Sequence, residues 1–206
     1  MPADIPDSDS NYFGAAAAAS ADGTVIAVGA PRMNGDYDYK GGVYIYRWVN
    51  GAWSISLHPY PANNLKSVYF GGCLALSADG TVLVVGYGQG YSNNFYVYRY
   101  DGENWSQTKM PRISGHGLDI SADGTVIASG FTYYDSGDGD TSGKIAIFRF
   151  VGNEWVYEAG FKPYNAVYVF GAGVTVSLDL SDDGTALVVG SSQQTDPYTG
   201  IVHLIA

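Results

Sequence analysis

The sequence predicts an all-β fold built from four repeated sheets, and three observations support this. A Ser-x-Asp-Gly-Thr stretch followed by an apolar run occurs four times, with its aspartates at positions 22, 79, 123 and 183. The repeat therefore recurs every 44 to 60 residues. The 206-residue chain also contains 28 glycines and only 15% charged residues, which is typical of a β protein with many turns. Hairpin-connected strands at this period are the pattern of β-propeller blades.

The first repeat shows how each blade is expected to form. Asp-Gly and Asn-Gly pairs accept positive φ, so Asp22-Gly23 and Asn50-Gly51 each predict a two-residue hairpin turn. The run after Gly23 contains β-branched residues that suit a buried strand, and the segment before Asn50 alternates with period two. The strands expected in this repeat are, in order, 15–19, 24–28, 43–48 and 52–57.

The same plan divides the rest of the chain. We predict a leader over residues 1–11 and one β-propeller domain over 12–206. Blades of about four antiparallel strands are expected at 12–60, 69–111, 114–163 and 169–206. The four could close a ring alone, belong to a longer propeller, or be completed by further copies of the chain.

The fourth repeat is expected to lack its outer strand. It ends in an alternating segment, and an exposed strand edge favours pairing with another strand. Either the leader or a strand from another molecule would cover this edge, the latter by β-augmentation and with a homo-oligomer as one outcome. The predicted interface consists of Val202, His203, Leu204 and Ile205.

Large residues recur at fixed places in the repeat. The tryptophans that follow the second turn are expected to wedge between neighbouring blades. An arginine recurs at one strand position between aromatic residues, and stacking on the blade surfaces is favoured over a ligand site. These residues are Trp53, Trp105 and Trp155, and Arg47, Arg99 and Arg149.

Composition excludes several classes of function. A net charge of −10 argues against a nucleic-acid partner, because binding phosphates requires a basic face. No apolar run reaches membrane-spanning length, so membrane insertion is not expected. The single cysteine, Cys73, cannot form an internal disulfide and is interpreted as a small buried apolar residue.

Several motifs carry a resemblance to a known family. Phe13-Gly14 is followed by Gly29-Ala30-Pro31 and then by Gly42 to Tyr46, and this pattern resembles the FG-GAP repeat over residues 12–206. In the integrin alpha subunit such repeats form an N-terminal seven-bladed propeller that binds protein partners and calcium. The resemblance therefore implies protein binding and a location outside the cell or on a cell or particle surface. Later copies diverge, as in Gly86-Tyr87-Gly88.

Calcium is the one cofactor that the sequence suggests. The integrin-type calcium loop is incomplete in all four hairpins, since calcium takes six to eight oxygens, and these are interpreted as bare Asp-Gly hairpins. Alternating aspartate and glycine can wrap oxygens around a hard cation, so a later loop is the stronger candidate, with a solvated turn as the alternative. The candidate metal ligands are Asp135, Asp138 and Asp140.

Tyrosines in the loops between second and third strands are the candidate binding residues. Topology gathers these loops on one face, and tyrosine offers amphipathic contacts toward proteins or glycans. Covering the loops is the alternative role. The residues are Tyr37, Tyr39, Tyr87, Tyr91, Tyr133, Tyr134 and Tyr198.

No catalytic motif appears in the sequence. There is no phosphate-binding glycine loop, Gly-x-Ser-x-Gly elbow or Cys-x-x-Cys pair. We therefore expect a non-catalytic module for protein or glycan binding or for assembly, with the incomplete last blade paired to a partner strand. The alternatives are a structural subunit of an extracellular filament or particle, and a propeller-type carbohydrate-active enzyme with a carboxylate-lined central pocket.

Overall fold

The protein is an all-β propeller of four blades, numbered in chain order. The structure, a computed structural model, describes residues 11–33, 40–57, 69–87, 95–110, 117–131, 144–161, 176–192 and 200–205. These residues form fifteen strands in four sheets. Every sheet is antiparallel, and its strands are adjacent in chain order.

The bounds of the strands follow the repeat. Blade 1 contains β1 (Ala17–Ala19), β2 (Val25–Gly29), β3 (Val43–Val49) and β4 (Ala52–Leu57). Blade 2 contains β5 (Phe70–Leu76), β6 (Val82–Tyr87), β7 (Tyr96–Tyr100) and β8 (Trp105–Lys109). Blade 3 contains β9 (Gly117–Ile120), β10 (Val126–Phe131), β11 (Lys144–Val151) and β12 (Glu154–Phe161). Blade 4 contains β13 (Val176–Leu180), β14 (Leu187–Ser192) and β15 (Gly200–Ile205).

The last blade is incomplete, as predicted. Its sheet has the order β13-β14-β15, whereas the other three sheets each have four strands. Among the described residues, no fourth strand pairs with β15. The backbone of β15 therefore forms the outer edge of this sheet.

The first hairpin turn of each blade differs from the prediction. In blade 1 the loop spans residues 20–24, and the Gly23 N–H donates to the Ser20 carbonyl at 3.0 Å. Within this loop, Gly23 is the residue with positive φ, at 69°. The prediction of a two-residue Asp-Gly turn is therefore wrong. The chain instead forms a four-residue β-turn that ends at Gly23. The second turn is confirmed, since Asn50 and Gly51 have φ of 52° and 82°.

A network of side-chain hydrogen bonds holds this loop. The Ser20 hydroxyl donates to the Asp22 carboxylate at 2.7 Å, and the Thr24 N–H donates to the same oxygen at 2.9 Å. The Val25 N–H donates in turn to the Ser20 hydroxyl at 2.9 Å. The network recurs in the other three blades, where the serine-aspartate pairs are Ser77–Asp79, Ser121–Asp123 and Ser181–Asp183. The spacing of the motif, repeated in all four blades, thus places the serine and aspartate side chains where they stabilise the loop.

Consecutive blades pack face to face, with the core divided among the gaps between them. The inner strands β1, β5, β9 and β13 lie side by side in that order. Each gap is filled by one apolar cluster with residues from both blades. The pairs that represent the three clusters are Ile45 with Leu83, Val97 with Ile127, and Ile145 with Leu187.

The four blades form an open arc. Strands of blade 1 pack on blade 2, blade 2 on blade 3, and blade 3 on blade 4. No comparable packing joins blade 4 back to blade 1 among the described strands. Of the three arrangements considered from the sequence, closure of a ring by these four blades alone is therefore not the one observed.

Candidate binding site

A repeated arginine contact connects each blade to the next. Arg47 of blade 1 donates from Nη2 to the Gly80 carbonyl of blade 2 at 2.7 Å, and its guanidinium lies 4.1 Å from the centre of the Tyr100 ring. Arg99 of blade 2 repeats both contacts on blade 3, with 2.8 Å to the Gly124 carbonyl. Its guanidinium lies 3.9 Å from the Phe150 ring. The stacking role predicted for these two arginines is confirmed.

Tryptophan completes this contact. Trp105 of blade 2 packs against the cluster between blades 1 and 2, and its indole N–H donates to the Ser56 hydroxyl of blade 1 at 3.0 Å. Trp155 packs in the same way against the cluster between blades 2 and 3. The predicted wedging of these tryptophans between blades is thus confirmed. Trp53 of blade 1 packs instead on a cluster of its own blade, formed by Ala30, Met33, Tyr44 and Tyr46, which we call the outer cluster of blade 1.

Arg149 of blade 3 occupies the same repeat position in a different environment. No described aromatic ring lies over its guanidinium. Its Nε instead donates to the Glu158 carboxylate at 2.9 Å, and the two side chains are 43% and 44% exposed. An open pocket of about 180 Å³ lies beside this pair, between blades 3 and 4, and Gly184 and Leu187 form its opposite wall. The pocket corresponds to the space that Phe150 and Trp155 fill one interface earlier, beside Arg99.

The lining of this pocket suits an aromatic ligand. Glu158 lies at the repeat position of Ser56, which accepts the indole N–H of Trp105. The Gly184 carbonyl is the counterpart of the two that accept from Arg47 and Arg99. A ring entering the pocket would therefore meet a cation, a hydrogen-bond acceptor and an apolar wall.

One carboxylate connects the inner strands of blades 3 and 4. Asp119 in β9 accepts the backbone N–H of Leu180 in β13 at 2.5 Å and that of Ile120 at 2.8 Å. Burial raises the pKa of Asp119, and nearby Asp179 adds to this, while the two hydrogen bonds oppose it. The residue is thus a structural link between blades.

The turn aspartates are occupied by their own hairpins. Hydrogen bonds from Ser181 and then Thr185 lower the pKa of Asp183 to about 2. The serine and threonine of the loop likewise lower the pKa of Asp22 and Asp123. Within the described ranges, no group of three or more histidine, cysteine or acidic side chains is placed to hold a metal ion. The candidate metal ligands Asp135, Asp138 and Asp140 lie outside these ranges.

Tyr87 is the only candidate binding tyrosine within the described residues, and its assignment needs correction. It lies at the end of β6, is 1% exposed, and packs edge-on against Phe70 and Tyr96 at 5.6 and 6.4 Å. It is a core residue, because β6 continues through Gly86 to Tyr87 and does not give way to a loop at the glycine. The other candidates lie outside the described residues: Tyr37, Tyr39, Tyr91, Tyr133, Tyr134 and Tyr198.

The predicted interface segment does lie on the open edge of blade 4. Val202, His203, Leu204 and Ile205 all belong to β15, which pairs on one side with β14. Their pairing with a partner remains a prediction. The sequence interpretation missed the difference at Arg149, which becomes visible only in the contacts of its side chain.

Comparison with solved structures places the fold among β-propellers. The WD40 repeats of RRP9 align with 90% of this chain and 49% of their own, at 15% identity and a TM-score of 0.52. Sqt1 from Chaetomium thermophilum aligns with 95% of this chain and 43% of its own, at 15% identity and a TM-score of 0.60. This chain thus spans less than half the length of either protein. At such identity the likeness shows the fold alone.

Comparisons of sequence add no family. No protein-family model and no curated protein sequence matches the chain. The resemblance to FG-GAP repeats therefore stays a prediction, and the propeller fold is what the comparisons establish. Among the described residues, no helix is long and apolar enough to cross a membrane.

Proposed function

We propose that this propeller is a non-catalytic protein-interaction module that accepts a β-strand or hairpin from a partner protein on blade 4. The observation that carries the proposal is the difference between Arg149 and its two counterparts. Arg47 and Arg99 stack on a ring of the following blade, whereas Arg149 lines an open pocket between blades 3 and 4, and β15 is the outer described strand of blade 4. A partner strand added to that edge would complete the sheet and cover the pocket.

The hairpins of this chain indicate what chemistry the partner should carry. In each of the first three blades, an aromatic residue before the second turn packs on the tryptophan after it, with ring centres 5.1 to 5.3 Å apart. The fitting partner segment is therefore a strand or hairpin with two such aromatic residues. One ring would stack on Arg149, and a tryptophan would donate its indole N–H to Glu158.

A direct test uses a peptide copied from the chain itself. A fluorescently labelled peptide with the sequence of residues 150–161 contains the aromatic pair of the third hairpin, Phe150 and Trp155. We expect it to bind the intact protein in a saturable manner, as measured by fluorescence anisotropy. A peptide with alanine at both aromatic positions should bind much more weakly, because it lacks both rings.

The matched protein variants are Arg149→Ala and Lys109→Ala. Loss of a cation–π contact costs about 1–2 kcal/mol, so Arg149→Ala should weaken peptide binding by about 5- to 30-fold. It should leave folding nearly unchanged, since an exposed ion pair contributes at most about 1 kcal/mol. Lys109 is an exposed cation on β8 and its removal should have no effect. Equal binding by the two variants, or no binding to the unmodified protein, would refute the proposal.

A further inference from the structure

We infer that two copies of this chain associate head to tail, the outward face of blade 1 packing on the outward face of blade 4. This inference concerns the flat faces of the end blades, whereas the proposed function concerns the edge of β15. We call the side of a blade that packs on the following blade its forward face, and the side that packs on the preceding blade its rear face. Among the described strands, no blade packs on the rear face of blade 1 or on the forward face of blade 4.

On the forward face, the difference in exposure between blade 4 and the other blades is seen at one repeat position in the second strand. In blades 1 to 3 the residue there is fully buried against the next blade, at 0% exposure. In blade 4 its counterpart, Val188, is 38% exposed. The register with the inner and third strands fixes this correspondence. The buried counterparts are Ala27, Val84 and Ala128.

The rear face shows the same contrast at the other end. Leu83 and Ile127 are 0% exposed against the preceding blade, whereas Ile26, their counterpart in blade 1, is half-buried. Phe70 of blade 2 is likewise 0% exposed, and its counterpart Phe13 is 38% exposed. The outer cluster of blade 1 buries Tyr44 and Tyr46 on this face, at 2% and 6% exposure, so Ile26 and Phe13 are the apolar side chains that stay more open there than in blade 2.

Polar groups at the two ends follow the same pattern. The Ala21 N–H donates to the Ala78 carbonyl at 2.8 Å, and this hairpin-to-hairpin bond is repeated from Ala78 to Ala122 and from Ala122 to Asp182, at 2.9 Å each. Among the described residues the series has no further member. The Asp182 N–H stands at one end and the Ala21 carbonyl at the other, so a second copy would supply the missing partner for each.

A carboxylate on the forward face of blade 4 adds a further matched pair. Asp119 of blade 3 accepts the N–H of Leu180 in the next inner strand. Asp179 holds the same register position in blade 4, opposite Val188, and it lies exposed. The residue that corresponds to Leu180 in blade 1 is Ala19. We therefore expect Asp179 of one copy to accept the Ala19 N–H of the other.

A second copy is the occupant that these observations favour. Each copy carries both halves of an interface that the chain already makes three times within itself. Closed propellers contain about four to eight blades, so two arcs of four blades can close into one ring, whereas three cannot. Such a ring would use the head-to-tail contact twice and leave no open face.

The experiment is the solution mass of the intact chain by light scattering over a wide concentration range. We expect a shift from the 21.9 kDa monomer to a dimer of about twice that mass, and no larger species. Ile26→Glu and Val188→Glu each place a charge on one of the two faces, and either should move the midpoint of dimerisation to at least about tenfold higher concentration. Circular dichroism would verify that both variants keep the β fold.

Two controls make the result specific to these faces. Val49→Asp adds a carboxylate on blade 1 at a site that is 50% exposed. Blade 2 has Asp101 at the same repeat position, so this variant should dimerise like the unmodified protein. Mixing Ile26→Lys with Val188→Glu should restore one of the two contacts and yield a mixed dimer. A monomer at all concentrations, an open-ended polymer, or equal masses for all variants would each overturn the inference.

Discussion

The glycine that closes the first hairpin turn provides the sharpest test of how the blades pack. Gly124 of blade 3 and Gly23 of blade 1 have the same backbone conformation, with φ of 68° and 69°. A Cβ at Gly124 would lie 2.7 Å from Cγ2 of Val82 in the preceding blade, whereas one at Gly23 would meet no atom within 4 Å. Replacing either glycine with alanine therefore carries the cost of a positive φ. Only the replacement at Gly124 adds the cost of a contact with Val82.

The shared cost is that of positive φ for a residue with a side chain, about 1–2 kcal/mol. At Gly124 the contact with Val82 adds overpacking, which typically costs about 1–3 kcal/mol. We therefore expect Gly124→Ala to lower the free energy of unfolding by about 2–5 kcal/mol and Gly23→Ala by about 1–2. Urea denaturation of both variants, followed by circular dichroism where the chain is monomeric, measures the difference.

Gly184→Ala extends the comparison, since its Cβ would lie 2.7 Å from Val126. It should therefore behave like Gly124→Ala. In the Gly124→Ala background, Val82→Ala should cost less than it does alone, because the smaller side chain makes room for the new methyl group. Equal losses for Gly23→Ala and Gly124→Ala would refute the packing of turn on valine as the determinant of the interface.

Three further predictions follow from single residues. The folded-state pKa of Asp183 is about 2, below the ordinary value, so its stabilisation is present above about pH 4 and lost as the pH falls through about 2. Asp183→Asn should flatten that part of an acid-unfolding curve, and an unchanged curve would contradict the assignment. Burial raises the pKa of Cys73 to about 11, so its thiol should react with iodoacetamide at pH 8 far more slowly in the folded than in the urea-unfolded protein. Arg99→Ala should lower the free energy of unfolding by about 2–3 kcal/mol, because it removes a cation that is both stacked and hydrogen-bonded. Arg149→Ala should lower it by less than about 1 kcal/mol. Similar losses for the two variants would count against the contact between blades.

The repeat made most of the fold predictable. Each copy of the motif contains a turn, a β-branched run and an aromatic strand, so it predicts both where the strands lie and which residues are buried. The four blades and the missing outer strand of the last one could therefore be predicted from the sequence. The turn at Asp22-Gly23 was misjudged because the dipeptide alone does not show where pairing stops. Its geometry depends on Ser20, whose hydroxyl and carbonyl both accept hydrogen bonds across the loop.

The binding residues were less predictable because exposure depends on the neighbouring blade. A residue that follows a glycine is expected in a loop, yet Tyr87 aligns with Ala30, and both are 1% exposed. Comparing the repeats position by position would have revealed this. Arg149 lies between two aromatic residues as Arg99 does, and its environment differs by the ion pair with Glu158 in place of a described ring from the following blade.

The hydrogen bonds that pass from hairpin to hairpin have a consequence for how the molecule opens. Each blade interacts only with its neighbours, so stability is expected to spread along the arc as in a one-dimensional chain of coupled units. Blades 2 and 3 are held on both sides and blades 1 and 4 on one. Amide exchange measured at concentrations where the chain is monomeric should therefore be fastest in β1 and in β13 to β15, and slowest in β6 and β10, because the arc opens from its two ends toward its middle.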